Sequence, residues 1–185
     1  MVTLHKLYTS AEFWDFVNLP ENSNKAFERW NGEIVEVSPS NPYSSLVSAQ
    51  IIIAIGIYLK TNPIAWITGE GAGYDISATD TLAPDVAVVL RSRQSSIPSK
   101  GFNPIPPDIA VEVVSPGNTA NEIHGKVLKY IQAGTQLVWV VYPDTQTVAI
   151  HTAVGARTLT INDTLDGGTV LPNFALPIQE IFPQT

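Results

Sequence analysis

The chain has 185 residues, 44% hydrophobic and 15% charged, which suits one globular domain with a sizeable core and excludes a disordered chain. It has no cysteine, so disulfides and thiolate chemistry are excluded, and a structural zinc site would have to rely on three scattered histidines. The net charge of −7, with no Lys/Arg grouping denser than Arg91-Ser92-Arg93, argues against strong unaided binding to nucleic acid.

Along the chain, Met1 to Lys6 shows no apolar signal-peptide core, and the default is a cytoplasmic protein. Thr9-Ser10-Ala11-Glu12 is a capping box that opens a short helix to about Val17. Asn31-Gly32 between two extended segments predicts a hairpin over 27–37, followed by a turn over 39–42. Residues 44–60 carry apolar side chains at Leu46, Val47, Ile51, Ala54, Ile55, Tyr58 and Leu59, and their length favours a helix over a strand. The apolar part of that segment, 46–59, is interrupted by Ser48 and Gln50 and falls short of the ~20 residues of a membrane span, so no membrane contact is expected. Short strands at 65–68 and 74–77 flank Gly69-Glu70-Gly71-Ala72-Gly73. These glycines open no helix, so they predict a tight turn and not a phosphate loop.

Strands at 85–90 and 109–114 enclose a polar, proline-bearing loop over 91–107. Thr119-Ala120-Asn121-Glu122 is a second capping box, and its helix ends at Gly134. A strand at 137–141 completes an α/β pattern, strands at 148–152 and 158–161 form an antiparallel extension, and 174–182 closes the chain. No internal repeat, linker or second domain is visible, so 1–185 reads as a single domain.

Glu112 lies in an otherwise apolar run, Ile109-Ala110-Val111-Glu112-Val113-Val114. A buried carboxylate there costs several kcal/mol unless a cation, a metal or a shared proton compensates it. Asp85 has a similar setting in Ala83-Pro84-Asp85-Val86-Ala87-Val88-Val89, and two acids at the edges of two apolar strands suggest a divalent metal site. On the following helix Ile123, Val127, Tyr130 and Ile131 form an apolar stripe; at about 100° per residue Lys126 falls on its flank and Lys129 well outside it, facing water. Each residue has a plainer reading. Glu112 is satisfied by an amide or by Lys126, Asp85 begins a strand after a Pro-Asp turn, and Lys126 snorkels over the helix edge. Jointly, two acids and a lysine in adjacent elements weigh towards a metal-and-phosphate constellation. Such a site can meet a phosphodiester despite the acidic chain, because the cation neutralises both acids and substrate.

The ordered set Phe27-Glu28-Arg29-Trp30-Asn31-Gly32-Glu33, Pro84-Asp85-Val86, Val111-Glu112-Val113-Val114-Ser115-Pro116, Lys126-x-x-x-Tyr130-x-x-x-Gly134 and Val138-Trp139-Val140-Val141 resembles the Uma2 family. That family is abundant in cyanobacteria and is placed in the PD-(D/E)xK nuclease superfamily. The resemblance spans about Thr9 to Phe182. It implies an α/β, restriction-endonuclease-like core: a central mixed sheet flanked by helices, with an N-terminal hairpin and a C-terminal antiparallel extension. It also implies metal-dependent hydrolysis of DNA. Asp85 and Glu112 would hold one or two Mg²⁺ or Mn²⁺ ions, and Lys126 would orient a water or stabilise developing charge. Glu28 would complete the metal shell or position the water. The usual lysine position two residues after the acid is Val114 here, so the resemblance implies that the lysine has moved to the next helix. A histidine that many relatives carry after the Ser-Pro turn is absent, since Pro42-Tyr43-Ser44 stands there. The acidic balance keeps open an alternative, a catalytically silent nuclease-fold interaction or regulatory module. A homodimer, with two clefts on one DNA, is a further expectation.

Overall fold

A computed structural model describes residues 6–38 and 40–182; Met1 to His5, where the N-terminal reading falls, and Pro39 of the expected turn lie outside the described residues. The Thr9 hydroxyl accepts from the Glu12 amide while the Glu12 carboxylate accepts from the Thr9 amide, so the expected box starts α1 (Ser10–Val17). Asn31 and Gly32 take φ of 51° and 84°, the left-handed backbone that a two-residue hairpin turn requires. They join β1 (Ala26–Trp30) to β2 (Glu33–Val37).

Helix α2 (Pro42–Thr61) begins earlier than expected. Asn41 caps it by accepting from the Ser44 amide, and Pro42 stands in the first turn, where a missing amide costs nothing. Pro42 therefore opens the helix and does not close a turn. At 20 residues and a mean hydropathy of 1.5, α2 is longer than the apolar stretch read from the sequence and could cross a membrane by length and composition, a condition that a core helix of a folded domain also meets. In the fold Val47, Ile51 and Ile55 bury one face of it against the sheet, and Ser48 is satisfied by donating to the Ser44 carbonyl.

The remaining elements are β3 (Ala65–Gly69), β4 (Tyr74–Asp75), β5 (Thr81–Leu82), β6 (Val86–Leu90), β7 (Ile109–Val113), α3 (Ala120–Gln132) and β8 (Leu137–Tyr142). They are followed by β9 (Thr147–Thr152), β10 (Gly155–Leu159), β11 (Thr164–Gly167), β12 (Leu171–Pro177) and α4 (Ile178–Ile181). A six-stranded sheet runs β10-β9-β8-β7-β6-β3, antiparallel except for the parallel pair β7-β8 that α3 connects. This is the central mixed sheet that was expected. A second sheet runs β2-β1-β5-β4, and β11 pairs with β12.

Three strands differ from expectation. The glycine turn after β3 is no hairpin: it carries the chain into the second sheet, where β4 pairs with β5, a strand too short to show a periodicity. β10 starts at Gly155 and not at Thr158, because a two-residue turn follows β9 directly and the Thr152 hydroxyl ties it to the Gly155 carbonyl. β11 was not foreseen, since only pairing with β12 makes Thr164–Gly167 extended.

Strand alternation divides the core. Val86, Val88, Ile109, Val111 and Val113 face α2, whereas Ala87, Val89, Ala110, Val138 and Val140 face α3 and the second sheet. Lys129 does not face water. Its ammonium pairs with Asp80 and donates to the Asn31 side chain, and Asp80 also accepts from the Asn31 amide and the Ser77 hydroxyl. This junction fastens the hairpin that bears Glu28 to α3. Asp80→Ala leaves those donors partly unsatisfied and is expected to cost about 1–3 kcal/mol of stability in urea denaturation, against an unchanged exposed control such as Glu21→Ala.

Candidate active site

In the β6–β7 ladder Ala87 stands opposite Ala110 and Val86 opposite Val111; one step further, the same register sets Asp85 opposite Glu112. Both acids follow the alternation of Ala87 and Ala110, so both project to the α3 side of the sheet. Val114 lies on that side too but belongs to its apolar packing, and the ammonium arrives from α3. Glu28 comes from the second sheet. Its Oε1 accepts from the Ala83 amide at 3.0 Å, in the short link from β5 to Asp85, and its Oε2 accepts from the Trp30 indole at 2.9 Å.

Lys126 joins these elements. Its Nζ lies 2.8 Å from Glu28 Oε1 and 3.0 Å from Glu112 Oε2, with the side chain 12% exposed. One helical turn later the Tyr130 hydroxyl donates to Glu112 Oε1 at 2.9 Å, so an i, i+4 pair grips both oxygens of one carboxylate. Asp85 accepts from the Val113 amide through Oδ2 at 2.6 Å. Gly125 lets this packing close: a Cβ there would stand 3.1 Å from the Trp30 ring.

The four expected residues are therefore together, and sequence reasoning had missed two of their supports. Tyr130 reads as core because its ring sits in the helix's apolar stripe; its spacing of four from Lys126 was the available signal. Trp30 gave no signal beyond its nearness to Glu28. Two cavities of about 420 Å³ lie elsewhere: one includes Tyr8, Phe16 and Phe27, the other Val114, His124, Tyr142 and His151, and neither includes Asp85 or Glu112. Burial and the neighbouring His124 lower the proton affinity of His151.

Burial pushes the Asp85 carboxyl up to about 6, opposed by the Val113 amide and Lys126 and reinforced by Glu70 and Glu28. Burial likewise pushes Glu112 up to about 8, against the pull of Lys126 and with the repulsion of Asp85 and Glu28. For Lys126 burial disfavours the charge, but Glu112 and Glu28 outweigh it and hold the ammonium above its ordinary value. Burial, with the charge of Glu112, raises Tyr130 well above a free phenol, so it stays a donor.

A family model, Uma2, described as "Putative restriction endonuclease", matches residues 13–179. The chain belongs to the Uma2 family. Its fold is shared with a solved structure from Anabaena variabilis ATCC 29413, described as "a putative nuclease belonging to DUF820". The TM-score is 0.79 at 23% identity, over 94% of this chain and 97% of that one. No curated protein matches. The Uma2 chain thus has a restriction-endonuclease-like fold, with the four residues at the junction of its two sheets and α3.

Asp85 holds its proton more tightly in the fold than at its ordinary value of 3.8, so it lowers stability as pH rises from about 4 through about 6. Asp85→Asn keeps an acceptor for the Val113 amide. It is expected to stabilise this Uma2 chain at pH 8 by on the order of 1–3 kcal/mol, with the gain fading towards pH 4. Melting curves across that range, with a chelator present, check it.

Proposed function

We propose that the chain is a divalent-metal-dependent endonuclease that hydrolyses DNA phosphodiester bonds in the cytoplasm, with residues 1–185 acting as one nuclease-fold domain. The observation that carries the reading is the charge of the junction. Glu28, Asp85 and Glu112 face one ammonium, Lys126, so with all three acids ionised the largely buried cluster carries an excess of two negative charges, the amount that one Mg²⁺ or Mn²⁺ balances. The donors are carboxylate oxygens, which suit a hard cation. Among the described residues no three His, Asp or Glu side chains form a ready ligand group. Mg²⁺ keeps several waters and takes one or two carboxylates together with substrate phosphate, so a pair of carboxylates would suffice. The family's description and the nuclease described for the Anabaena protein support the same chemistry.

Asp85 and Glu112, opposite each other on one face, are the residues that would hold the cation. When bound, it supplies an activated water at neutral pH and takes up charge on the phosphate. Lys126 is fixed by two carboxylates and presents a preorganised positive charge to the phosphate oxygens. Glu28 has both oxygens engaged by Trp30, Ala83 and Lys126, so it holds the ammonium and through it the position of the attacking water. Tyr130 keeps Glu112 turned towards the shared face. DNA is the partner, with no membrane; α2 serves as a core helix. A second copy of the chain would pair two sites on one duplex.

A second reading, the silent interaction module, is favoured by one observation: Lys126 already neutralises part of the cluster without a metal. Nicking of supercoiled plasmid separates the two. The wild type is expected to cleave only with Mg²⁺ or Mn²⁺, and Asp85→Asn and Lys126→Met to lose about 10²-fold or more. Retained cleavage in Asp85→Asn sinks the assignment. The absence of both cleavage and Mn²⁺ binding near neutral pH favours the silent module.

A further inference from the structure

The cavity of about 420 Å³ beside His124 and His151 takes no part in the chemistry above. Its floor is apolar, from Val114, Ile123 and Val127, and its polar lining includes His124 on α3, Tyr142 at the end of β8 and His151 on β9. Among the described residues the side chains of His124, Tyr142 and His151 make no hydrogen bond, so three polar rings border the space with their donors and acceptors unused. An apolar cleft of about 300–1,000 Å³ with a few convergent polar groups is the usual form of a site for a small molecule.

The lining selects the ligand. None of the lining residues is Asp, Glu, Lys or Arg, so an ion finds no charged partner there. Among the described residues no third His, Asp or Glu completes a metal group with the two histidines. Burial and the neighbouring His124 lower the proton affinity of His151, so its imidazole is neutral at pH 7 and offers one donor and one acceptor. The Tyr142 hydroxyl likewise donates and accepts. Flat rings with mixed donor and acceptor edges over an apolar floor suit an uncharged planar heterocycle with a similar edge, which is the chemistry of a nucleobase.

The cavity also lies close to the acids. Val114 follows Glu112 by two residues on the same side of the sheet, which at roughly 3.3 Å per residue places the cavity floor about 7 Å further along the strand. One nucleotide of a DNA strand covers such a span. On α3, at about 100° per residue, His124 and Lys126 fall on opposite flanks of the stripe of Ile123, Val127 and Tyr130. Asn118 and Thr119, at the exposed start of α3, line the cavity, so a path between its two flanks runs round the helix end.

We propose that this cavity receives one unpaired nucleobase of the DNA strand being cut, next to the scissile phosphodiester. The substrate class is then DNA with an unpaired or mismatched base, whose extrusion costs least, in preference to a fully paired duplex. The proposal rests on the DNA-cleaving reading above and specifies its substrate.

Fluorescence anisotropy of end-labelled duplexes, titrated with the full chain in a chelator at low salt, tests it. Three duplexes are compared: one with a single unpaired adenine, one with an abasic site in its place, and one fully paired. The wild type is expected to bind the first about tenfold or more tighter than the other two. His151→Leu is expected to lose that preference while keeping its affinity for the paired duplex and a folded circular dichroism spectrum. Equal wild-type affinity for the unpaired-adenine and abasic duplexes overturns the inference. So does a preference that survives both in His151→Leu and in His124→Ala, a change at an exposed position, because the base then sits elsewhere. Free deoxyadenosine that competes with the affinity of the unpaired-adenine duplex assigns the cavity to a free nucleoside and overturns it as well. No binding to any duplex overturns it too, and plasmid nicking with metal then decides separately whether the proposed function stands.

Discussion

The Lys126 ammonium, set between Glu28 and Glu112, is the contact on which the rest of the junction depends. Glu28 belongs to the small sheet, Glu112 to the central strand of the large one, and Lys126 to the helix between β7 and β8. Three elements that make no common backbone hydrogen bonds are tied by one charged atom. Its burial makes the tie directional. A charge removed from water needs every donor satisfied at good geometry, so small shifts of α3 or of the hairpin are penalised more steeply than in an apolar contact. The Lys129–Asp80 pair reinforces the same alignment one helical turn further along.

This arrangement does not minimise electrostatic energy. Glu112 and Asp85 both ionise less readily than free carboxyls: burial dominates, and it is reinforced by Asp85 and Glu28 at Glu112 and by Glu70 and Glu28 at Asp85, beyond what one lysine offsets. A core selected for stability alone would place apolar residues at these positions, as it does at Ala87 and Ala110 directly behind them. Retained charge that destabilises the apo chain is more readily understood as part of a site, where a divalent cation restores the balance.

The centre of the large sheet was legible because β6, β7 and β8 are buried on both faces and read as continuous apolar runs, with Glu112 conspicuous as the exception. Both capping boxes, the Asn31-Gly32 turn and the Gly134 helix stop were legible because each rests on local backbone chemistry within four residues. β5 and β11 were not, since strands of two and four residues owe their form to distant partners. The periodicity of α3 placed Lys126 correctly and Lys129 wrongly for a related reason. A helical wheel separates a helix's faces but says nothing of a hairpin docking against the outer one.

Residue types and local spacing thus determined by themselves that two acids end apolar strands and that a lysine follows on the flank of the next helix. Only the tertiary structure decided which groups share a face and a row. The pairing of β6 with β7, strands separated by a long loop, brought Asp85 against the strand that carries Glu112. A side chain from a separate sheet, Glu28, closed around Lys126. Strand register and sheet-to-sheet docking are set by long-range packing of the apolar layers. A carboxylate's partners across those layers are therefore invisible in the spacing of its own segment.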